Sequence, residues 1–173
     1  MKGTFNPLIP RELRLEVTER MDAAGEVVTP LDEAEVEAAV EALLAAGCQS
    51  LVIHFLHSYI NPAHEKRAAE IARKRWPNRY VTAGHAILSE YREYERGVTA
   101  AVNAVIQPVL DNYISRLAGE LGKRGFKREL LVMQGNGGTV AASIVAEAAV
   151  NTVMSGPASG VMAAAFSATQ AGF

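Results

Sequence analysis

The chain has 173 residues, 49% of them apolar, which suits a single domain of ordinary size with a real core. Its formal charge of -2 excludes the basic surface that nucleic acid requires, and none of its apolar runs approaches the roughly 20 residues of a membrane helix. Cys48 is the only cysteine, so no internal disulfide can form. Because the start also lacks a signal-peptide pattern, we expect a cytoplasmic protein.

The first predicted elements are a strand and a helix. Apolar residues from Leu13 to Val17 alternate with polar ones, and this period of two predicts a half-buried strand within residues 11–28. Asp32 is placed to cap the helix that follows, and Gly47 is placed to end it.

The next residues predict a β-α-β unit. Residues 50–56 are apolar on both faces, which is typical of an interior parallel strand. A helix begins after Pro62 and ends before Pro77, and residues 79–83 predict the next strand. We therefore expect a parallel strand pair joined by a right-handed crossover.

The second half of the chain predicts a long helix and two strands that end in glycine turns. Apolar residues repeat at helical spacing between residues 93 and 121, and Pro108 predicts a kink or a break in that helix. Residues 130–134 and 151–154 are short runs that each lead into a glycine-containing turn, so each predicts a strand. Pro157 suits the first turn of a closing helix.

These four strands predict an α/β fold with one mostly parallel sheet flanked by helices. The carboxyl ends of parallel strands meet at one edge, where open α/β sheets bind ligands. Glycine turns at such an edge favour anions through free N–H groups and helix dipoles, although plain turns more often explain the same pattern. The polar residues and glycines that follow the four strands are His57, Ser58, Gly84, His85, Gln134, Asn136, Ser155 and Gly156.

The histidines offer one functional candidate. His57 lies at the end of a strand, where a functional and a structural role are both open. His54, three positions earlier, points to the opposite face and is expected to be a hydrogen-bonded core residue. His64 opens a helix and is expected in solvent. The spacing of His, Cys and carboxylate residues predicts no metal site.

Four sequence blocks within residues 10–173 carry a family resemblance: HSYINPAHEKRAAEI, REYERGVTAAVNAVIQPVLDNYI, VMQGNGG and SGPASGV. In this order and spacing they resemble the hydantoinase A/5-oxoprolinase family. The resemblance implies an actin-like ATPase fold of the sugar kinase and chaperone type. It places the end of the family's N-terminal region in residues 1–92 and the start of the hydantoinase A region in residues 93–173. Two phosphate loops of that fold do not occur in the sequence, so the chain looks like an internal fragment of a longer protein.

The resemblance also implies an activity. We expect the intact protein to be an ATP-dependent hydrolase that opens cyclic amides such as hydantoin, N-methylhydantoin or 5-oxoproline. ATP and Mg²⁺ are its implied cofactors. We expect neither to bind tightly to this fragment. A second subunit or domain of the hydantoinase B type is the implied partner. A subunit of an ATP-dependent acetone or acetophenone carboxylase, and a non-catalytic partner-binding segment, remain open as alternatives.

Two groups of site residues follow from the resemblance, without an assigned general base. The residues expected to bind phosphate or substrate are Gln134, Asn136, Gly137, Gly138, Ser155 and Gly156. The catalytic candidates are His57, His85, Glu93 and Arg96. Gly135 stands where a serine is usual in the family, which should loosen the loop by roughly 1 kcal/mol of backbone entropy.

Overall fold

The structure, a computed structural model, describes residues 7–173, which form an α/β fold with three small sheets. Two short 3-10 segments, Arg11–Leu13 and Val145–Thr152, accompany the regular elements. No helix among residues 7–173 is long and apolar enough to cross a membrane. In chain order the elements are β1 (Arg20–Met21), β2 (Val27–Thr29), α1 (Glu33–Ala45), β3 (Leu51–Ile53), α2 (Ala63–Arg75), β4 (Val81–Ala83), α3 (Gly84–Ile87), α4 (Glu93–Lys123), β5 (Leu131–Met133), β6 (Thr139–Ala141) and α5 (Ser155–Gln170).

The described chain divides after Val105 into two compact units. We call residues 7–105 the amino-terminal unit and residues 106–173 the carboxy-terminal unit. The division falls inside α4, which continues through Pro108 as one helix of 31 residues. The predicted break is therefore absent. A proline costs a helix about 3 kcal/mol, and the remaining hydrogen bonds of a helix this long can offset that loss.

The first predicted strand is shifted along the chain. Residues 14–19 are not extended into a sheet, and the sheet begins instead with the antiparallel pair β1 and β2. Gly25, at φ +85°, forms the turn between them. The alternation from Leu13 to Val17 was misleading because Leu15, between these two half-buried residues, remains exposed.

The β-α-β unit is confirmed. β3 pairs in parallel with β4, with Leu51 opposite Val81. The Asp32 side chain accepts a hydrogen bond from the Glu35 N–H (3.0 Å), and Gly47 follows the end of α1 at φ +79°. The core of the amino-terminal unit lies between this strand pair and the helices α1 and α2. It contains Val36, Val40, Leu51, Ile53, Ala68, Ala69, Ile71, Ala72, Trp76, Val81 and Ala83.

The prediction of a single four-stranded sheet is wrong. β5 pairs with β6 as an antiparallel hairpin, and residues 151–154 do not form a strand. The five residues between β5 and β6 contain three glycines, and a loop of that length suits a hairpin better than a crossover. Residues 151 and 152 instead end the 3-10 segment, and Met154 adopts a left-handed conformation at φ +62°. The fold is thus α/β, but only one of the three sheets within residues 7–173 is parallel.

Candidate functional site

A buried carboxylate, Glu65, lies beside the carboxyl ends of β3 and β4. Its side chain is fully buried in the first turn of α2, where the helix dipole favours negative charge. Oε1 accepts hydrogen bonds from the Phe55 N–H (2.8 Å) and the Ser58 hydroxyl (2.7 Å). Oε2 accepts from the His85 N–H (2.8 Å) and lies 2.8 Å from His85 Nδ1. One carboxylate therefore joins the two loops that follow the parallel strands.

His54 packs against this carboxylate without bonding to it. Its Nδ1 lies 3.8 Å from Glu65 Oε1 and has no hydrogen-bond partner. Burial lowers the pKa of His54, and the nearby charge of Arg96 lowers it further, against the opposing effect of Glu65. The ring packs closely against two glycines, Gly84 and Gly97. A Cβ on Gly84 would lie 3.0 Å from Nδ1, and one on Gly97 would lie 3.1 Å from Cδ2.

Arg96 is a second buried charge in the same region. The residue is 1% exposed, and its guanidinium donates to the carbonyl oxygens of Glu90 (2.9 Å) and Phe55 (2.8 Å). Its Cζ lies 5.7 Å from the centre of the Tyr59 ring, within cation–π range. Arg96 thus ties the loop after β3 to the segment before α4. We call Glu65, His85, His54 and Arg96 the charged cluster.

Two residues near the charged cluster have a strained backbone. His57 has φ +56° and Arg92 has φ +77°, which residues other than glycine rarely adopt. Such conformations cost about 1–3 kcal/mol and tend to occur at functional sites. His57 is half-buried, and its ring centre lies 6.2 Å from that of Tyr59.

The structure brings three of the four catalytic candidates into the region of the charged cluster. His85 and Arg96 belong to it, and His57 lies in the β3 loop between two residues that bond Glu65. Glu93 contributes a backbone hydrogen bond to His54, whereas its own side chain is exposed. Their catalytic roles remain predictions. His64, expected in solvent, is instead half-buried and bonds Glu19 at 2.8 Å.

Sequence reasoning missed Glu65, although a signal was present. Glu65, Ala68, Ala69 and Ala72 follow the i, i+3, i+4, i+7 spacing of a buried helix face, and all four are buried. A carboxylate on an otherwise apolar stripe is informative because such a group is rarely buried without partners.

In the carboxy-terminal unit, the glycine hairpin loop of residues 134–138 packs against the chain that leads into α5. The Gly135 N–H donates to the Asn151 carbonyl (2.7 Å). A Cβ on Gly135 would collide with the Val153 carbonyl oxygen, and one on Gly137 would lie 3.8 Å from Met162. Two predicted glycine segments therefore do lie together, although the second is not the end of a strand.

Four of the loop's five backbone N–H groups are engaged within the protein. Besides Gly135, the Gln134 N–H donates to the Gly138 carbonyl (2.8 Å) and the Gly137 N–H to the Gln134 carbonyl (3.1 Å). The Gly138 N–H donates to Asn136 Oδ1 (2.8 Å). A phosphate bound by backbone alone needs a group of free N–H donors, so the predicted contacts of this loop would come mainly from the side chains of Gln134 and Asn136.

The start of α5 has no side-chain cap. Met154 precedes the helix, and no side chain there bonds the N–H groups of the first turn, which contains Ser155 and Gly156. The Ser155 carbonyl accepts from the Ser159 hydroxyl (2.7 Å). Within residues 7–173, no group of three or more His, Cys, Asp or Glu side chains could hold a metal ion. The assignment of phosphate to Gln134, Asn136, Gly137, Gly138, Ser155 and Gly156 stays a prediction.

Solved structures show which class of protein shares this fold. The chain aligns over its whole length with 26% of an ATP-dependent caprolactamase from Pseudomonas jessenii, at a TM-score of 0.89 and 35% identity. It also aligns over 98% of its length with 24% of a nucleotide-free acetone carboxylase, at a TM-score of 0.85 and 30% identity. The fold is therefore one found in subunits of ATP-dependent enzymes.

Two family models match most of the chain. The hydantoinase/oxoprolinase N-terminal region matches residues 2–76, and the hydantoinase/oxoprolinase model matches residues 96–173. The chain belongs to the hydantoinase/oxoprolinase family, as its four sequence blocks predicted.

Curated relatives span several activities. An acetophenone carboxylase gamma subunit from Aromatoleum aromaticum is 36% identical over 96% of the chain, and a caprolactamase subunit alpha from Pseudomonas jessenii is 36% identical over 91%. An uncharacterised protein from Methanocaldococcus jannaschii is 40% identical over 92%. The chain spans about a quarter of the length of these relatives, between 23% and 24%.

Proposed function

We propose that this chain is a segment of an ATP-dependent enzyme that opens cyclic amides. The observation that carries the proposal is the likeness to the ATP-dependent caprolactamase, which extends over the whole chain at 35% identity. ATP and Mg²⁺ would serve the intact protein, which we expect to be cytoplasmic and to have the actin-like ATPase fold. ATP would supply the free energy, because an unstrained five-membered amide ring has little tendency to open.

The chain's own residues would position the reacting groups. Glu65 and Arg96 fix the loops around His57 and His85, so these side chains would be held in place before a substrate arrives. In the carboxy-terminal unit, the side chains of Gln134 and Asn136 and the first turn of α5 would contact phosphate or substrate. The relatives' names, a gamma subunit and a subunit alpha, support an enzyme of several subunits. A second subunit or domain of the hydantoinase B type would complete this one.

A substrate panel tests the proposal. The intact protein that contains this chain, with its partner subunit, is incubated with ATP and Mg²⁺, and phosphate release is measured. Hydantoin, N-methylhydantoin, 5-oxoproline and caprolactam are compared with buffer alone. We expect at least one cyclic amide to stimulate phosphate release. Release that none of these amides stimulates would contradict the proposal.

A ketone carboxylase is the second candidate, because the acetophenone carboxylase gamma subunit is 36% identical over 172 residues. Acetone and acetophenone with labelled bicarbonate are therefore added to the panel. Incorporation of label with no response to cyclic amides would select the carboxylase. If neither the cyclic amides nor the ketones stimulate phosphate release, the result would support a partner-binding segment without catalysis.

A further inference from the structure

Glu65 and His85 form a pair that does more than join two loops. The carboxylate already accepts from two backbone N–H groups and one hydroxyl, so it is held as an acceptor. Its remaining hydrogen-bond contact is His85 Nδ1 at 2.8 Å, and because an ionised carboxylate can only accept, we assign the proton of this contact to Nδ1. When the imidazole is neutral, its single proton is on Nδ1, and Nε2 carries a free lone pair.

The burial of the two partners is unequal in a way that suits proton transfer. The Glu65 side chain is fully buried, whereas the His85 side chain retains 15% of its exposure. His85 lies in α3, directly after β4, at the carboxyl end of the parallel pair. The carboxylate is thus closed off from solvent, and the His85 ring is the more accessible partner of the two.

The other charged groups around the pair leave Glu65 free to balance a charge on His85. His54, at the end of β3, lies 3.8 Å from Glu65 Oε1, and burial lowers its pKa, so it stays neutral around pH 7. From α4, Arg96 is bonded to carbonyl oxygens and Glu93 keeps its carboxylate exposed. An imidazolium at His85 would therefore be the partner of the carboxylate.

We infer that His85 accepts a proton at Nε2 from a bound ligand or water, and that Glu65 is the residue that positions it. The proton leaves an O–H or N–H group of the donor, whose bonding electron pair stays on the donor atom. The imidazolium that forms is stabilised by the Glu65 carboxylate. A cyclic amide or the water that attacks it supplies such a group, so the choice of reaction rests on the proposed function.

The variant His85→Asn separates this role from a structural one. The asparagine side chain can still donate to Glu65, which preserves the link between the loops, but its amide cannot accept a proton. The control is His64→Asn, because His64 also bonds a buried carboxylate, Glu19, at 2.8 Å. Both variants are made in the intact enzyme, with the cyclic amide that it turns over.

We expect His85→Asn to remain folded, to lose about 100-fold or more in kcat/KM, and to lose the acidic limb of the pH profile. His64→Asn should keep both the normal kcat/KM and the acidic limb of the pH profile. Glu65→Gln should move the acidic limb, since it removes the balancing charge. A His85→Asn enzyme with normal turnover and an unchanged pH profile would overturn the inference.

A chemical probe keeps the inference testable if no cyclic amide is turned over. Diethyl pyrocarbonate acylates an accessible neutral imidazole nitrogen, and peptide mass spectrometry of the intact protein locates the product. Modification of His85 would support an accessible basic Nε2 even though the proposed function had failed. A His85 that resists the reagent under conditions that modify other histidines would overturn the inference.

Discussion

Gly135 is the residue of the hairpin loop that has no room for a side chain. A Cβ there would collide with the Val153 carbonyl oxygen, while the Gly135 N–H is bonded to Asn151. The usual serine at this position in the family would therefore need a different local backbone. Glycine here is required by packing, and the entropy argument from sequence alone captured only part of its role.

We predict that Gly135→Ala lowers the free energy of unfolding by about 1–3 kcal/mol, because the loop or the segment before α5 must shift. Urea denaturation measures the change. The control is Gly119→Ala, within α4, where an added Cβ meets nothing within 4 Å. That change should be neutral or stabilise by up to about 1 kcal/mol. Equal effects at the two positions would contradict the packing argument.

His54 should make the protein's stability depend on pH. Burial and Arg96 lower its folded-state pKa below the ordinary value of 6.5, so the unfolded chain binds the proton more readily. The contribution is fully present above about pH 6.5 and is lost as the pH falls toward the folded-state pKa. We predict that the melting temperature falls on acidification and that His54→Gln makes this fall less steep. An unchanged slope in the variant would contradict the prediction.

At the scale of elements, Glu65 connects α2 to the loops after β3 and β4. Removing its carboxylate leaves the part-buried N–H groups of Phe55 and His85 without this acceptor, while the Ser58 hydroxyl keeps only the Phe55 carbonyl (3.0 Å). We predict that Glu65→Ala costs about 3 kcal/mol or more in the free energy of unfolding. Glu70→Ala is the control, since Glu70 lies on the same helix but is exposed and pairs only with Arg67. If both variants lose a similarly small amount of the free energy of unfolding, Glu65 does not have this structural role.

Local signals were sufficient for some elements and not for others. The cap at Asp32 and the two-sided apolar run at β3 each predict one structure, and both were correct. Residues 151–154, two polar residues followed by two apolar ones, fit a strand or a turn equally well, and only packing against the hairpin loop decides between them. His85 was placed at the right edge by topology. Glu65 was missed because its burial depends on contacts with distant loops.

At the scale of the whole molecule, the family resemblance was a better guide than the predicted sheet topology. The single parallel sheet was wrong, yet the family was correct, because the four sequence blocks do not depend on how strands pair. The division expected near residue 92 stays a prediction. The structure itself divides after Val105, within α4.

The chain spans about a quarter of the length of the curated relatives that it matches. Within residues 7–173, four of the five backbone N–H groups in the loop of residues 134–138 are engaged, and the charged cluster lies in the amino-terminal unit. We therefore predict that the chain alone binds ATP weakly, which isothermal titration measures. Micromolar affinity for the isolated chain would contradict this prediction.

The coupling between ATP cleavage and ring opening tests the central claim most directly. Phosphate release and the ring-opened product are quantified in the same reaction of the intact protein with its best cyclic amide. The account predicts one phosphate released for each ring opened, and no ring opening without ATP. Ring opening that proceeds without ATP, or phosphate release with no ring-opened product, would contradict it.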